Sequence, residues 1–366
     1  MTTTYDPVEL AVALHREALS ARDAHRYPQA VALCRRALDL FETHAGSAHP
    51  DVANVLSLLG GAKDELGAHA AAEADHRRAV AIMAALPCGH GVLLWLAVQA
   101  RLGLGANLRW QGRYPEARDE LRVALDLAEA APGRAEVDLV PIWNELGVLG
   151  KFAGHFDEAE SFYLRAQAAL VAAFGPDAPQ LAGVCHNLAG LAHSRGRFVE
   201  GETHARRSLT LHRRAFPDDH PAVVADEAHL AVLLQAQGKL AEAEPLLRRA
   251  VSYFTDRRGP ENYDVVVNLH NLAAVRAGLG YPDEAEALYE RALTGKLRVL
   301  GPRHPEVGLT LNNLAVLVAD RGDLARAAEL AGRARAVLAA TVAPDHPALV
   351  TATTNLATFA AAAREG

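Results

Sequence analysis

The sequence predicts an all-α fold, a solenoid of eight helix pairs finished by a single terminal helix. Three observations carry the prediction. A turn marker returns as His25, Gly67, Gly112, Gly154, Gly196, Gly238, Gly280 and Gly322, in steps of 42, 45, 42, 42, 42, 42 and 42 residues. The text around the marker repeats as well: Gly280-Tyr-Pro-Asp-Glu-Ala-Glu-Ala-Leu-Tyr-Glu-Arg-Ala-Leu293 matches Gly154-His-Phe-Asp-Glu-Ala-Glu-Ser-Phe-Tyr-Leu-Arg-Ala-Gln167. A fixed period of this length is the mark of a repeat array. Finally, the chain is 50% hydrophobic but only 5% aromatic. Its core must therefore be Ala, Leu and Val, a palette suited to closely packed helices.

Each unit reads as one helix before the marker and one after it. Glycine ends the first helix because it tolerates a left-handed backbone. The prolines of Tyr27-Pro28, Tyr114-Pro115 and Tyr281-Pro282 suit the first turn of the second helix, where a missing N–H costs little. Ala30, Ala72, Ala117, Ala159, Ala243, Ala285 and Ala327 stand five residues after the marker, where a larger side chain would separate the pair. The pairs fall at 8–46, 50–88, 92–133, 137–176, 179–217, 221–259, 263–301 and 305–343, with a capping helix at 347–363, as one domain over 1–366. Units begin at His49-Pro50, His220-Pro221, His304-Pro305 and His346-Pro347, with Ala178-Pro179 as a variant. The third and fourth pairs lack this start. The longer step places three extra residues near Leu86–Gly91, and Ala130–Arg134 is irregular as well.

The motifs Leu311-Asn-Asn-Leu-Ala315, Gly280-x3-Glu-Ala-Glu-x-Leu-x2-Arg-Ala-Leu293 and Gly301-Pro-x-His-Pro305 resemble the tetratricopeptide repeat family, in its 42-residue kinesin light chain form, bacterial-like. The resemblance covers nearly the whole chain. It implies a right-handed superhelix whose first helices line a concave groove, and a non-catalytic scaffold or adaptor that binds a peptide or protein segment there.

Positions ten, nine, six, three and two before the marker share one helical stripe. On it stand Arg109, Trp110, Asn144, Glu145, Lys151, Phe152, His186, Asn187, His193, His229, His270, Asn271, Asn312 and Asn313, the expected groove residues. The resemblance assigns asparagines nine before the marker to the backbone of a bound peptide; Asn187, Asn271 and Asn313 match. Arg109, Lys151 and His193 share the position three before the marker, a row of donors suited to acidic groups. Trp110 and Phe152 read equally as an apolar anchor and as core.

Net charge is −7 (37 basic, 44 acidic), without a basic block, which argues against nucleic-acid and membrane partners. Of seventeen histidines only His186, His229 and His270 have a spacing that brings successive repeats together, and no HExxH or carboxylate ligand joins them, so no metal is expected. No phosphate loop, nucleophile elbow or other catalytic signature is present, and no cofactor is expected. A ligand-responsive regulator and an enzyme using His186, His229, Glu145 or Lys151 are the alternative readings. Cys34, Cys88 and Cys185 follow no ligand or disulfide spacing, and neither a signal peptide nor an apolar stretch of membrane-spanning length is evident; the expectation is a cytoplasmic protein.

Overall fold

The computed structural model describes residues 6–87 and 91–365. Cys88 and the centre of the inserted stretch lie outside the described residues. Among these there is no strand; the elements are seventeen α-helices and one 3-10 turn. In order they are α1 (Pro7–Asp23), α2 (Tyr27–His44), α3 (Pro50–Glu65), α4 (His69–Ala84), α5 (Gly91–Trp110), α6 (Tyr114–Glu129), the 3-10 turn Glu136–Leu139, α7 (Val140–Ala153) and α8 (Phe156–Phe174). The series continues with α9 (Leu181–Ser194), α10 (Phe198–Ala215), α11 (Pro221–Ala236), α12 (Leu240–Arg258), α13 (Tyr263–Gly278), α14 (Pro282–Val299), α15 (Pro305–Asp320), α16 (Leu324–Ala339) and α17 (Pro347–Glu365). This is the predicted helical solenoid of paired elements.

The marker does the work its chemistry suggests. Gly67, Gly112, Gly154, Gly196, Gly238, Gly280 and Gly322 all have φ between 71° and 91°. His25 takes the same left-handed conformation at φ 55°, with its Nδ1 2.8 Å from the Tyr27 hydroxyl. The His-Pro starts are helix caps: the Nδ1 atoms of His49, His220, His304 and His346 accept the backbone N–H two residues on, at 3.1–3.3 Å. Asn262 caps α13 in the same way at 3.0 Å. The alanines five after the marker are all 0% exposed.

Where the period lengthens, α5 lengthens with it. That helix begins 21 residues before its marker, whereas α3, α11, α13 and α15 begin 17 before theirs. By length and composition α5 is apolar enough to cross a membrane, contrary to the sequence expectation. Part of its apolar surface is in the core, where Leu94, Val98, Leu104 and Leu108 are buried, while Val92 is exposed. Its two arginines are paired, Arg101 with Glu120 (2.6 Å) and Arg109 with Glu145 (3.1 Å).

The repeat period alone predicts one domain, but the chain divides into two compact units, Met1–Glu145 and Leu146–Gly366. In the first, α1 packs on α3 and α3 on α5; in the second, α9, α11, α13, α15 and α17 pack in succession. Second helices make no such contacts with one another among the packed pairs, so in each unit the first helices form the inner wall. The second unit also has a contact outside this order. The Ala343 N–H donates to the Ala153 carbonyl (3.4 Å), the His346 ring lies edge-on to Phe156 (5.9 Å), and a Cβ on Gly154 would stand 2.9 Å from His346 Cδ2.

Candidate functional site: the inner helical walls

The first unit carries a cleft of about 400 Å³ on its inner wall. The residues lining it follow one register. Thirteen before the marker stand Asn54, Gln99 and Pro141; ten before, His15, Ser57, Leu102 and Asn144; nine before, Leu58, Gly103 and Glu145; six before, Leu19, Gly61 and Ala106. Arg22 and His76 complete it. The cleft shares the offsets ten, nine and six with the stripe inferred from helix periodicity and adds thirteen, while Arg109 and Trp110 are not among its lining residues. The site extends into the first two repeats, however, where the sequence reading placed no binding residue, although the same offsets counted from His25 and Gly67 name His15, Leu19, Ser57, Leu58 and Gly61.

Below the cleft lies a buried polar knot. Asp64 accepts from His69 Nδ1 (2.9 Å), His76 Nε2 (3.0 Å) and Asn107 Nδ2 (2.6 Å). Burial raises the carboxyl's pKa, but these hydrogen bonds more than reverse that and hold it below the usual range. The His76 ring is wedged between two helices that lack side chains to oppose it. A Cβ on Gly60 would stand 2.6 Å from His76 Nε2, and one on Gly103 2.9 Å from its Nδ1. Gly61, next in sequence to Gly60, faces open space. Gly60→Ala is therefore expected to destabilise the protein by about 1–3 kcal/mol through overpacking. Gly61→Ala should be neutral or stabilising by up to about 1 kcal/mol, from helix propensity. Urea melts of the two variants check this, and equal effects would place the wedge elsewhere.

Several expected groove residues of this unit have other duties. Arg109 is 8% exposed and its Nε donates to Glu145, so it is neutralised and does not offer a bare cation. Its guanidinium covers the Trp110 ring at 4.9 Å, and that ring stacks on His69 at 5.8 Å and 9°. Trp110 serves packing. Asn144 and Glu145 line the cleft.

In the second unit, Asp226 plays the part that Asp64 plays in the first. It is 1% exposed and accepts from His186 Nδ1 and His212 Nδ1, each at 2.8 Å, and from the Ser208 hydroxyl at 2.7 Å. Burial raises its pKa and these bonds more than offset the rise. The His186 ring meets that of His229 at 4.3 Å between centroids. Over Gly190, the Lys151 ammonium and the His229 ring come to the same side of α9: a Cβ there would lie 3.3 Å from Lys151 Nζ and 3.4 Å from His229 Nε2. Lys151 also sits over the Phe152 ring at 4.7 Å. Burial lowers the pKa of His193, and Lys151 lowers it further; His229 is pushed well down by burial, with His186, Lys151 and His193 adding.

Further along, His270 is a structural histidine. Thr310 gives its proton to the Glu306 carbonyl (2.9 Å), so its oxygen accepts from His270 Nδ1 (3.0 Å), and His270 Nε2 accepts from Asn313 (3.2 Å). Asn312, expected in the groove, is 7% exposed and bonded through its Oδ1 to Asn355 of the capping helix (3.0 Å). Asn271 makes no side-chain hydrogen bond to a described residue. Asn187 lies half-buried on the same stripe. Among the described residues no group of three or more His, Cys, Asp or Glu side chains has an arrangement that could hold a metal ion.

Stacked helix pairs with a polar, small-residue inner wall define a helical-repeat protein. A family model described as tetratricopeptide repeat matches residues 9–85, 96–172, 180–256 and 264–340, and the chain belongs to that family. No curated protein matches the sequence. Among solved structures, a Rap protein complexed with Competence and Sporulation Factor is 14% identical, with a TM-score of 0.61 over 98% of this chain and 99% of that one. BtubC (BKLC) from P. vanneervenii is 20% identical over 67% of this chain and 92% of that one, at a TM-score of 0.43. Kinesin light chain-like repeats from Podosopora anserina are 23% identical over 56% and 97%, at 0.40. At these identities the Rap likeness shows the fold alone.

Proposed function

We propose that this protein is a non-catalytic scaffold that holds an extended peptide or protein segment against the inner wall of its first unit. The observation supporting this reading is the register of the cleft. Successive first helices present the same offsets, ten before the marker in all four and thirteen, nine and six before it in three each, so the wall repeats its polar groups and gaps at regular intervals. Asn54, Ser57 and Gln99 supply groups able to pair with a peptide main chain, while Gly61, Gly103 and Ala106 let a backbone come close. The Rap protein of similar fold was crystallised with Competence and Sporulation Factor, a precedent for an array of this length holding a ligand.

Gly61 provides the test, because a side chain there projects into open space. Peptides are selected from a random display library on the full-length chain and their affinities measured. Gly61→Trp should weaken them at least tenfold and leave the melting temperature unchanged. Gly183→Trp, at an equally open position in the second unit, should leave affinity intact. Selected peptides that bind the Gly61→Trp variant as well as wild type would refute the placement.

A further inference from the structure

Resting on the scaffold reading above, we propose that the first-unit cleft takes an arginine side chain of the bound segment, inserted over Gly61 between α3 and α5 toward His76. Absent side chains make the opening. A Cβ on Gly61 would meet nothing within 4 Å, and Gly103 and Ala106 of α5 also line the cleft. Ser57, half-buried, stands one turn before Gly61 on α3 and lines the cleft as well.

A buried polar atom without a partner points to the ligand. His76 is 1% exposed and lines the cleft, and its Nδ1 has no hydrogen-bond partner among the described residues. The two ring nitrogens lie on different sides. Nε2 is on the Gly60 side and donates to Asp64 Oδ2 (3.0 Å), since a carboxyl held below its usual pKa can only accept. Nδ1 is on the side of Gly103, a cleft residue, 2.9 Å from where a Cβ there would stand. In the neutral ring Nδ1 is therefore a bare acceptor. Leaving it unpaired costs free energy, which a donor from the ligand recovers.

Neighbouring groups ask for a donor too. Ser57 Oγ gives its proton to the Ala53 carbonyl (3.0 Å), so its oxygen is left to accept. Nε2 of His15, another lining residue, is buried without a partner among the described residues. Charge then favours a cation over a neutral donor. The basic side chains around the floor are answered: Lys63 by Asp75, Arg22 by Asp23 and Arg109 by Glu145. Asp64 is met by His69, His76 and Asn107, with no lysine or arginine among its partners. With those rings neutral, one negative charge lies beneath the floor. A guanidinium brings the opposite charge and five N–H donors in one flat, weakly hydrated group.

The probe is acetyl-arginine methylamide, titrated into the full-length chain at pH 7.5 and followed by amide NMR shifts. Saturable shifts are expected at Gly61 and Gly103. The citrulline counterpart, equal in shape but uncharged, should bind at least tenfold more weakly, and the glutamate counterpart more weakly still. Gly61→Trp should abolish arginine binding. Asp64→Asn should erase most of the preference for arginine over citrulline. Should that variant fail to fold, Ser57→Ala leaves the buried knot untouched and should lower arginine affinity about threefold. Equal binding of arginine and citrulline, tighter binding of glutamate, no binding of arginine, or an arginine site indifferent to Gly61→Trp would each overturn the assignment. Selected peptides that depend on Gly61 yet carry no basic residue would overturn it as well, while leaving the scaffold reading in place. Peptides indifferent to Gly61→Trp, beside an arginine probe that depends on it, would do the reverse.

Discussion

Replacing Lys296 with methionine is expected to cost about 3–5 kcal/mol, the scale for leaving one member of a buried ion pair unpartnered. Lys296 is 3% and Glu306 7% exposed, and the ammonium lies 3.0 Å from Glu306 Oε2. The Tyr263 hydroxyl donates to the other oxygen. Burial pushes the Glu306 carboxyl up, yet Lys296, His304 and Tyr263 together bring it down to about 2. Without Lys296 the carboxylate is stranded, and it should take up a proton near neutral pH. The double variant Lys296→Met/Glu306→Leu should be more stable than Lys296→Met alone, because an apolar pair of similar volume replaces the ionic one. Urea melts followed by hydrogen exchange in α14 and α15 measure both. A single variant within about 0.5 kcal/mol of wild type would show that water reaches this junction.

Acid should loosen the second unit well above the range where carboxylates titrate. Burial, together with the Lys296 charge, brings His270 down to about 3 from its ordinary 6.5. The folded imidazole remains neutral where the unfolded one is charged. The contribution of His270 to stability is therefore complete above about pH 6.5 and is lost as pH falls from there toward 3. At pH 5 the loss is about 2 kcal/mol from this residue alone, given roughly 1.4 kcal/mol per unit. His193 and His229 are lowered as well and act in the same direction. Melting temperatures should fall between pH 7 and pH 5, and His270→Gln, which keeps a donor and an acceptor for Thr310 and Asn313, should flatten that slope. An unchanged slope in the glutamine variant would mean that His270 protonates without loss.

The helices, their turns and the inner face were legible in the sequence because each rests on a local rule repeated eight times. Side-chain partners were less legible, yet they follow a rule of their own. Tyr263 bonds Glu306, His270 bonds Asn313 and Asn312 bonds Asn355, each across 43 residues. His186 and His229 meet at the same separation. A residue therefore faces the position one beyond its own in the next repeat. By that rule Asn313 is answered by His270, whereas Asn271 faces Ala228 and has no polar partner there. Reading asparagines singly by their distance from the marker misses this, and so groups structural and available amides together. The Arg109–Glu145 pair was hidden for a different reason. It joins two offsets of the stripe at a separation of 36 residues, a diagonal reach that only a long, flexible arginine makes.

The contact between the Ala153–Phe156 turn and the Ala343–His346 segment changes how the second unit should come apart. In an open row of repeats the energy is a sum over adjacent units, and the free end frays first. Here a hydrogen bond joins positions roughly 190 residues apart. The entropy of bringing such distant points together disfavours early formation, so this contact belongs late in folding, after the intervening repeats have brought its two sides near. Once formed, it makes fraying of α17 also a loss for the α7–α8 turn. Melting of the capping helix and of the fourth repeat should then share cooperativity, with protection against hydrogen exchange rising and falling together at Ala153 and Ala343.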